Sequence, residues 1–140
     1  MNAIETGDLV GQHVTVPPEA DPDTQWWWEA LNQGELLLPH CSACDGYFFP
    51  PMPACPNCGS DSIDRRRSAG EGTVYSWVVV HLAQDPAFRG ETPYTVVAVH
   101  LAEGVRLFGR IAAGSLQDGL RVRGVPYRVG ETTLLGFERI

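Results

Sequence analysis

Lysine is absent from this chain of 140 residues, and arginine alone supplies its ten basic side chains. The arginines are confined to one part of it. Residues 1–64 carry ten acids and no base, whereas residues 65–140 carry seven acids and ten arginines, a split of −10 and +3 within a net charge of −7. An acidic front half repels a phosphate backbone, which argues against nucleic acid as a partner. Long apolar runs are also missing. The densest stretch, Thr73 to Val80, is far shorter than the roughly 18 residues of a membrane span, so no membrane partner is expected. The first eight residues lack the basic region and apolar core of a secretory signal, which makes cytoplasmic placement the expectation. There is no Gly-x-Ser-x-Gly elbow, phosphate loop or dinucleotide fingerprint. No catalytic residue is assigned.

The remaining composition, 44% hydrophobic and 19% charged, is that of a folded globular chain of one domain or of a small module attached to one. Residues 1–20 show no periodicity and end in Val16-Pro17-Pro18, which reads as a flexible lead. A helix is expected over residues 21–34. Asp21 suits its N-terminal cap, Pro22 its first turn and Gly34 a left-handed C-terminal cap. Trp26, Trp27 and Trp28 span about 200° of such a helix, so they cannot share one face, and at least one should meet something beyond a single core. Glu35 to Leu38 reads as a short strand leading into Pro39-His40-Cys41.

The four cysteines fall in the pattern C-x2-C-x10-C-x2-C, as Cys41, Cys44, Cys55 and Cys58. Two tight turns, each offering two thiolates, suit a tetrahedral metal that is soft enough for sulfur, and zinc fits best. Gly46 and Gly59 permit the chain reversals such knuckles require. Four sulfurs leave no open coordination position, so the zinc is expected to be structural. A rubredoxin-like iron site and a pair of disulfides are the competing readings; the missing secretion signal disfavours the second. His40 adjoins Cys41 but is not needed to complete the shell.

From Gly70 the texture changes. Runs at Thr73 to Leu82, Tyr94 to Leu101, Val105 to Ile111, Leu120 to Val129 and Thr133 to Ile140 are separated by glycine- and proline-bearing turns, as in a small antiparallel barrel. The connection from Ala83 to Pro93 is long enough to be functional. His81 and His100 fall near strand ends, where a barrel histidine is more often a rim residue than a catalyst. Arg65-Arg66-Arg67 reads as a solvated strand face at the join between ribbon and barrel.

The succession of Trp-rich helix, Leu36-Leu37-Leu38-Pro39-His40-Cys41-Ser42-Ala43-Cys44, Phe49-Pro50-Pro51, Cys55-Pro56-Asn57-Cys58-Gly59-Ser60, Gly70-Glu71-Gly72-Thr73-Val74-Tyr75-Ser76-Trp77 and Pro93-Tyr94 resembles the domain of unknown function 35 family. Met52 departs from it, standing where the family carries arginine. The resemblance implies a mainly β chain: N-terminal helix (21–34), rubredoxin-like zinc ribbon (35–67) and five-stranded OB-fold barrel (68–140). It also implies a non-catalytic accessory subunit, two copies of it with two of a thiolase-fold protein. That partner would act on acyl-CoA, as an aldolase cleaving a β-hydroxyacyl-CoA in steroid side-chain degradation. The alternatives are a condensing, acyltransferase-type complex or a single-stranded nucleic-acid-binding module. Some relatives carry a fused hydratase domain for which this chain has no room, so a separate subunit or an excised domain is expected. Arg89, in the long loop, is the candidate contact for the phosphate-bearing end of CoA or for the partner.

Overall fold

A computed structural model describes residues 4–5, 17–129 and 131–140. Most of the expected lead, residues 1–3 and 6–16, lies outside the described residues, as does His13. Within the lead, β1 (Ile4–Glu5) forms a two-residue parallel pairing with Tyr127 and Arg128 of β7 (Arg121–Val129).

The helix α1 (Gln25–Asn32) is shorter than expected, because residues 22–24 form a turn ahead of it. Asp21 caps that turn: its Oδ1 accepts from the Thr24 amide at 2.8 Å, and its own amide donates to Thr24 Oγ1. The Thr24 amide, foremost, holds the Asp21 carboxyl below its usual range. At the other end Gly34 takes φ +83°, with Gly34 N–H donating to Leu31 O and Glu35 N–H to Ala30 O. That is the Schellman arrangement, and glycine enters the left-handed region without steric cost.

β2 (Leu37–Cys41) and β3 (Ile63–Arg67) pair antiparallel as the stem of the ribbon. β4 (Glu71–Val80), β5 (Tyr94–Leu101), β6 (Arg106–Ile111), β7 and β8 (Thr132–Arg139) form the barrel, in the order β7-β4-β5-β6-β8 with β8 returning to β7. This is the five-stranded, closed OB-fold. It departs from an all-antiparallel barrel at one seam: β6 and β8 run parallel, through Arg110–Gly136 and Ile111–Phe137. β7 separates those two strands in sequence, so the chain crosses the barrel before closing it. The seam is tight. A Cβ at Gly109 would fall 2.7 Å from the Leu135 carbonyl oxygen and 2.9 Å from the Phe137 ring.

One core runs through all three parts: Val74, Val97, Val99, Leu107, Val122 and Phe137 of the barrel meet Leu36 and Leu38 of the ribbon stem and Trp27 and Leu31 of the helix. Thr133 Oγ1 donates to Asn32 Oδ1 at 2.8 Å, tying the helix to β8. In the long β4–β5 loop, Pro86–Phe88 form a 3-10 turn capped by Asp85. The loop's far end is pinned by Glu91, whose buried carboxylate accepts from Arg110 Nη1 at 2.7 Å. No helix among the described residues is long and apolar enough to cross a membrane.

The barrel seam makes a test. Phe137→Ala should cost about 3–5 kcal/mol of unfolding free energy, the usual range for a buried phenylalanine. Gly109→Val, which overpacks the same seam, should cost about 1–3 kcal/mol. Denaturant unfolding of both variants measures this, and neutral substitutions would contradict the closed barrel.

Candidate metal centre

The two cysteine knuckles have matching backbones. In the first, Cys41 N–H donates to Gly46 O and Asp45 N–H to Cys41 O; in the second, Cys55 N–H donates to Ser60 O and Gly59 N–H to Cys55 O. The left-handed position that each reversal needs falls at equivalent places, Asp45 (φ +64°) and Gly59 (φ +77°). Gly46 therefore does not have the expected part. The turn residue is Asp45, since aspartate tolerates the left-handed region better than most side chains. At Gly46 a Cβ would stand 3.4 Å from Cys44 Sγ, an ordinary van der Waals contact, so neither the turn nor the packing there demands glycine.

These knuckles bring Cys41, Cys44, Cys55 and Cys58 together, with all four Sγ atoms within 4.8 Å of one another. Cys41–Cys58 and Cys44–Cys55 stand 3.6 and 3.7 Å apart. A tetrahedron of sulfurs about 2.3 Å from a central zinc has edges of about 3.8 Å, so the cage fits that ion. All four thiols are free, and the two short contacts are far longer than the ~2.05 Å of a disulfide, which sets the disulfide reading aside.

Electrostatics point the same way. The Cys44 amide, with smaller contributions from Ala43 and the facing thiols, draws Cys41 down to about 7. At Cys44 the Gly46 amide pulls downward, but the sulfurs of Cys41 and Cys55 outweigh it and push the thiol up to about 11. Cys58 is drawn down by the Ser60 amide, yet rises on balance beside Cys41. Four thiolates at these distances repel one another unless a cation lies among them.

His40 is buried, and both of its ring nitrogens are taken: Nδ1 by Asp64 at 2.9 Å and Nε2 by Asp45 at 2.8 Å. It is a brace and not a spare ligand, linking the first knuckle to the stem. Sequence reading missed this role, although the acids at 45 and 64 were the available signal. Met52 is half-buried against the small ribbon core of Cys41, Phe48 and Cys55, which accounts for an apolar residue there.

The aromatic surplus expected on helix and ribbon is largely consumed by their packing. Trp27 is buried, with ring centroids of Trp28 at 4.7 Å and Phe49 at 5.4 Å. Tyr47 lies edge-on to His40, Phe48 is buried, and the Arg65 guanidinium covers Trp26 at 4.7 Å. The arginine run is a strand face: Arg66 pairs with Asp64 at 3.4 Å and Arg67 with Glu35. Arg67 also borders a cleft of about 680 Å³ beside Arg123 and Glu138. His81 is exposed, as is His100, which stacks on Tyr75 at 4.6 Å and accepts from Arg106 Nε at 2.9 Å. Arg89 is exposed and donates to Gln84 O at 3.2 Å.

The chain was compared with known proteins. Residues 28–64 match the family described as ChsH2, rubredoxin-like zinc ribbon domain, and residues 65–130 match ChsH2, C-terminal OB-fold domain. A DUF35 domain-containing scaffold protein of Methanocaldococcus jannaschii is 32% identical over 109 residues, which are 74% of this chain and 77% of that one. A probable enoyl-CoA hydratase alpha subunit of Thermomonospora curvata is 44% identical over 78% of this chain, which spans only 33% of that protein's length. The solved structure of an Ltp2-ChsH2(DUF35) aldolase is similar with a TM-score of 0.77 and 38% identity, over 87% of this chain and 98% of that one.

The metal itself is testable. The purified chain should carry about one zinc, and Cys41→Ser or Cys58→Ser should lower stability and solubility, since such sites contribute folding free energy. Acidification should release the metal, because protons compete for thiolates of which two are hard to ionise unaided. Elemental analysis and thermal unfolding with and without chelator measure this; a metal-free chain of unchanged stability would contradict it, and a red-brown iron protein would favour the iron reading. With its zinc ribbon and OB-fold matched over residues 28–130 and a scaffold relative 32% identical over 77% of that protein's length, the chain belongs to the DUF35 family of ChsH2-type proteins.

Proposed function

We propose that the chain is a non-catalytic accessory subunit of a thiolase-fold enzyme acting on acyl-CoA, most specifically an aldolase that cleaves a β-hydroxyacyl-CoA in steroid side-chain degradation. The observation that carries this reading is the likeness, across nearly the whole of that chain, to the component of the Ltp2-ChsH2(DUF35) aldolase. The steroid substrate class is supported by the 34% identity with a 3-oxo-4,17-pregnadiene-20-carboxyl-CoA hydratase alpha subunit of Mycobacterium tuberculosis, of whose length this chain spans 40%.

The chemistry of the site agrees with an accessory role. Four sulfurs fill a tetrahedral shell, so a bound zinc keeps no position for water or substrate. The ribbon then serves to hold shape, and the thiolase-fold partner performs the carbon–carbon cleavage. Arg89, exposed on the β4–β5 loop and engaged only with a backbone carbonyl among its described contacts, is the residue we assign to a phosphate of CoA or to the partner. We assign two copies of each chain to the complex, on the expectation that the partner is itself a dimer.

Co-expression with the thiolase-fold protein of the same genome should give a stable hetero-oligomer in light scattering, with aldolase activity that neither protein alone provides. The isolated chain should be inert toward acyl-CoA esters. Arg89→Ala should raise the KM for acyl-CoA or weaken assembly without changing the zinc content. A single-stranded oligonucleotide should bind no tighter than about 10⁻⁴ M at physiological salt. A chain that stays monomeric beside a partner fully active alone contradicts the proposal, and submicromolar, salt-sensitive oligonucleotide binding would put the nucleic-acid reading first.

A further inference from the structure

Exposed large apolar side chains are not scattered over this molecule. Among the described residues, six of the seven, Tyr75, Trp77, Val78, Val79, Leu82 and Phe108, belong to the second half of β4, the start of the loop after it, and β6, which lies across β5 from β4. The cause is in the strand pairing. Among the described residues β4 pairs with β7 only through Glu71, Gly72 and Thr73, and a bulge between Val74 and Ser76 marks where the strand departs. Among the described residues, Ser76 to Val80 pair with β5 alone, through Val97 opposite Trp77 and Val96 opposite Val78. Side chains alternate along a strand, so Trp77 and Val79 point to one side and Val78 to the other. Both sides are open: Trp77 is 40% and Val78 59% exposed. The segment Tyr75-Ser76-Trp77-Val78-Val79-Val80 has no charge and no proline, two of the devices that protect a free strand edge, and its bulge lies at its start.

The two arginines at the ends of this patch have no carboxylate partner among the described contacts, and the one exposed acid of the loop is Asp85. Arg106 lies over the Tyr75 ring at 4.2 Å and donates to His100, with no carboxylate partner among its described contacts. At the other end the loop carries Arg89, bonded only to a backbone carbonyl. Asp85 is committed to capping the 3-10 turn and Glu91 is buried against Arg110.

We infer that the β4 edge from Tyr75 to Val80, with Phe108, is the surface on which the thiolase-fold partner docks: that partner pairs its backbone with the free edge, covers both faces with apolar side chains, and sets carboxylates opposite Arg106 and Arg89. This rests on the accessory-subunit reading above and adds where the contact is made. A second copy of this chain fits less well. Antiparallel pairing of two identical edges about a two-fold axis places the Tyr75 end of one beside the Val80 end of the other, which brings Arg106 toward the partner loop bearing Arg89. It also satisfies the edge while leaving both faces of each strand wet. A larger protein meets all three demands.

The test uses the full chain and the co-expressed thiolase-fold protein. Val78→Glu should weaken binding at least tenfold by titration calorimetry, and Arg106→Glu should slow association and flatten its salt dependence. Ile140→Glu, equally apolar and exposed but outside the patch, is the control and should bind as the parent does. Zinc content and circular dichroism verify that each variant is folded, and amides 75–80 should gain hydrogen-exchange protection in the parent complex. A complex that forms with unprotected amides and full affinity for Val78→Glu overturns this docking surface while leaving the accessory role standing. A Val78-sensitive dimer of the chain alone, with no effect on partner binding, overturns it in favour of self-association. Failure of the parent chain to bind any thiolase-fold protein overturns both.

Discussion

Between the stem strands of the ribbon, residues 42–62 contain no helix and no strand longer than a single bridge, yet their backbone positions are closely specified. The constraint that specifies them is the convergence of four sulfurs. Apart from the cysteines themselves, the buried side chains of this lobe are Phe48 and Pro51, with Met52 and Ile63 beside Phe48. That is too little apolar area to offset the ordering of some twenty residues, each costing about 1–2 kcal/mol of backbone entropy. Metal–sulfur bonds supply what packing does not, as in other small metal-dependent lobes. His40 then transmits the order outward, since its two carboxylate partners lie on the first knuckle and on β3.

The ribbon is not left to swing on a linker. Leu36 and Leu38 enter the same core as Phe137 and Val97, so the stem and barrel share buried surface. Ser68 forms the corner between them. Its amide donates to Leu36 O, its hydroxyl to Glu103, and Gly70 N–H donates back to Ser68 Oγ. Trp27 adds the helix through Phe49, which belongs to the ribbon. Any partner that grips the helix or the ribbon is therefore gripping a body continuous with the barrel, and the orientation of the β4 edge follows from it.

Features governed by local rules were legible in the sequence. Gly34 terminates a helix because glycine alone takes that conformation cheaply, and C-x2-C-x10-C-x2-C forms a cage because each pair closes one turn. β5, from Tyr94 to Leu101, matches its expected bounds residue for residue. Features that depend on distant partners were not legible. Three adjacent tryptophans looked excessive for one helix because the ribbon's claim on Trp26 and Trp27 cannot be counted from helical periodicity. The parallel β6–β8 seam leaves no local mark except Gly109, whose missing side chain makes sense only once Phe137 lies across from it. Glu91 reads as one more loop acid until Arg110 is seen beside it in the interior.

The same distinction explains why the exposed apolar surface of β4 is not legible in the sequence. In β4, Val74 is buried, Tyr75 to Val79 are exposed and Val80 is half-buried, although Val78, Val79 and Val80 are as apolar as a core strand. Composition therefore predicts burial, and only the departure of β4 from β7 after Thr73 shows that the barrel does not provide it. Free edges of this kind are normally selected against, because they invite indiscriminate pairing. A free edge without charge or proline, flanked by guanidiniums with no carboxylate partner among the described contacts, is consistent with a surface that spends most of its time covered. It also places the aromatic residues most exposed to solvent, Tyr75 and Phe108, on the barrel and not in the metal cage, so the lobe that holds shape and the surface proposed for a partner are separate parts of one chain.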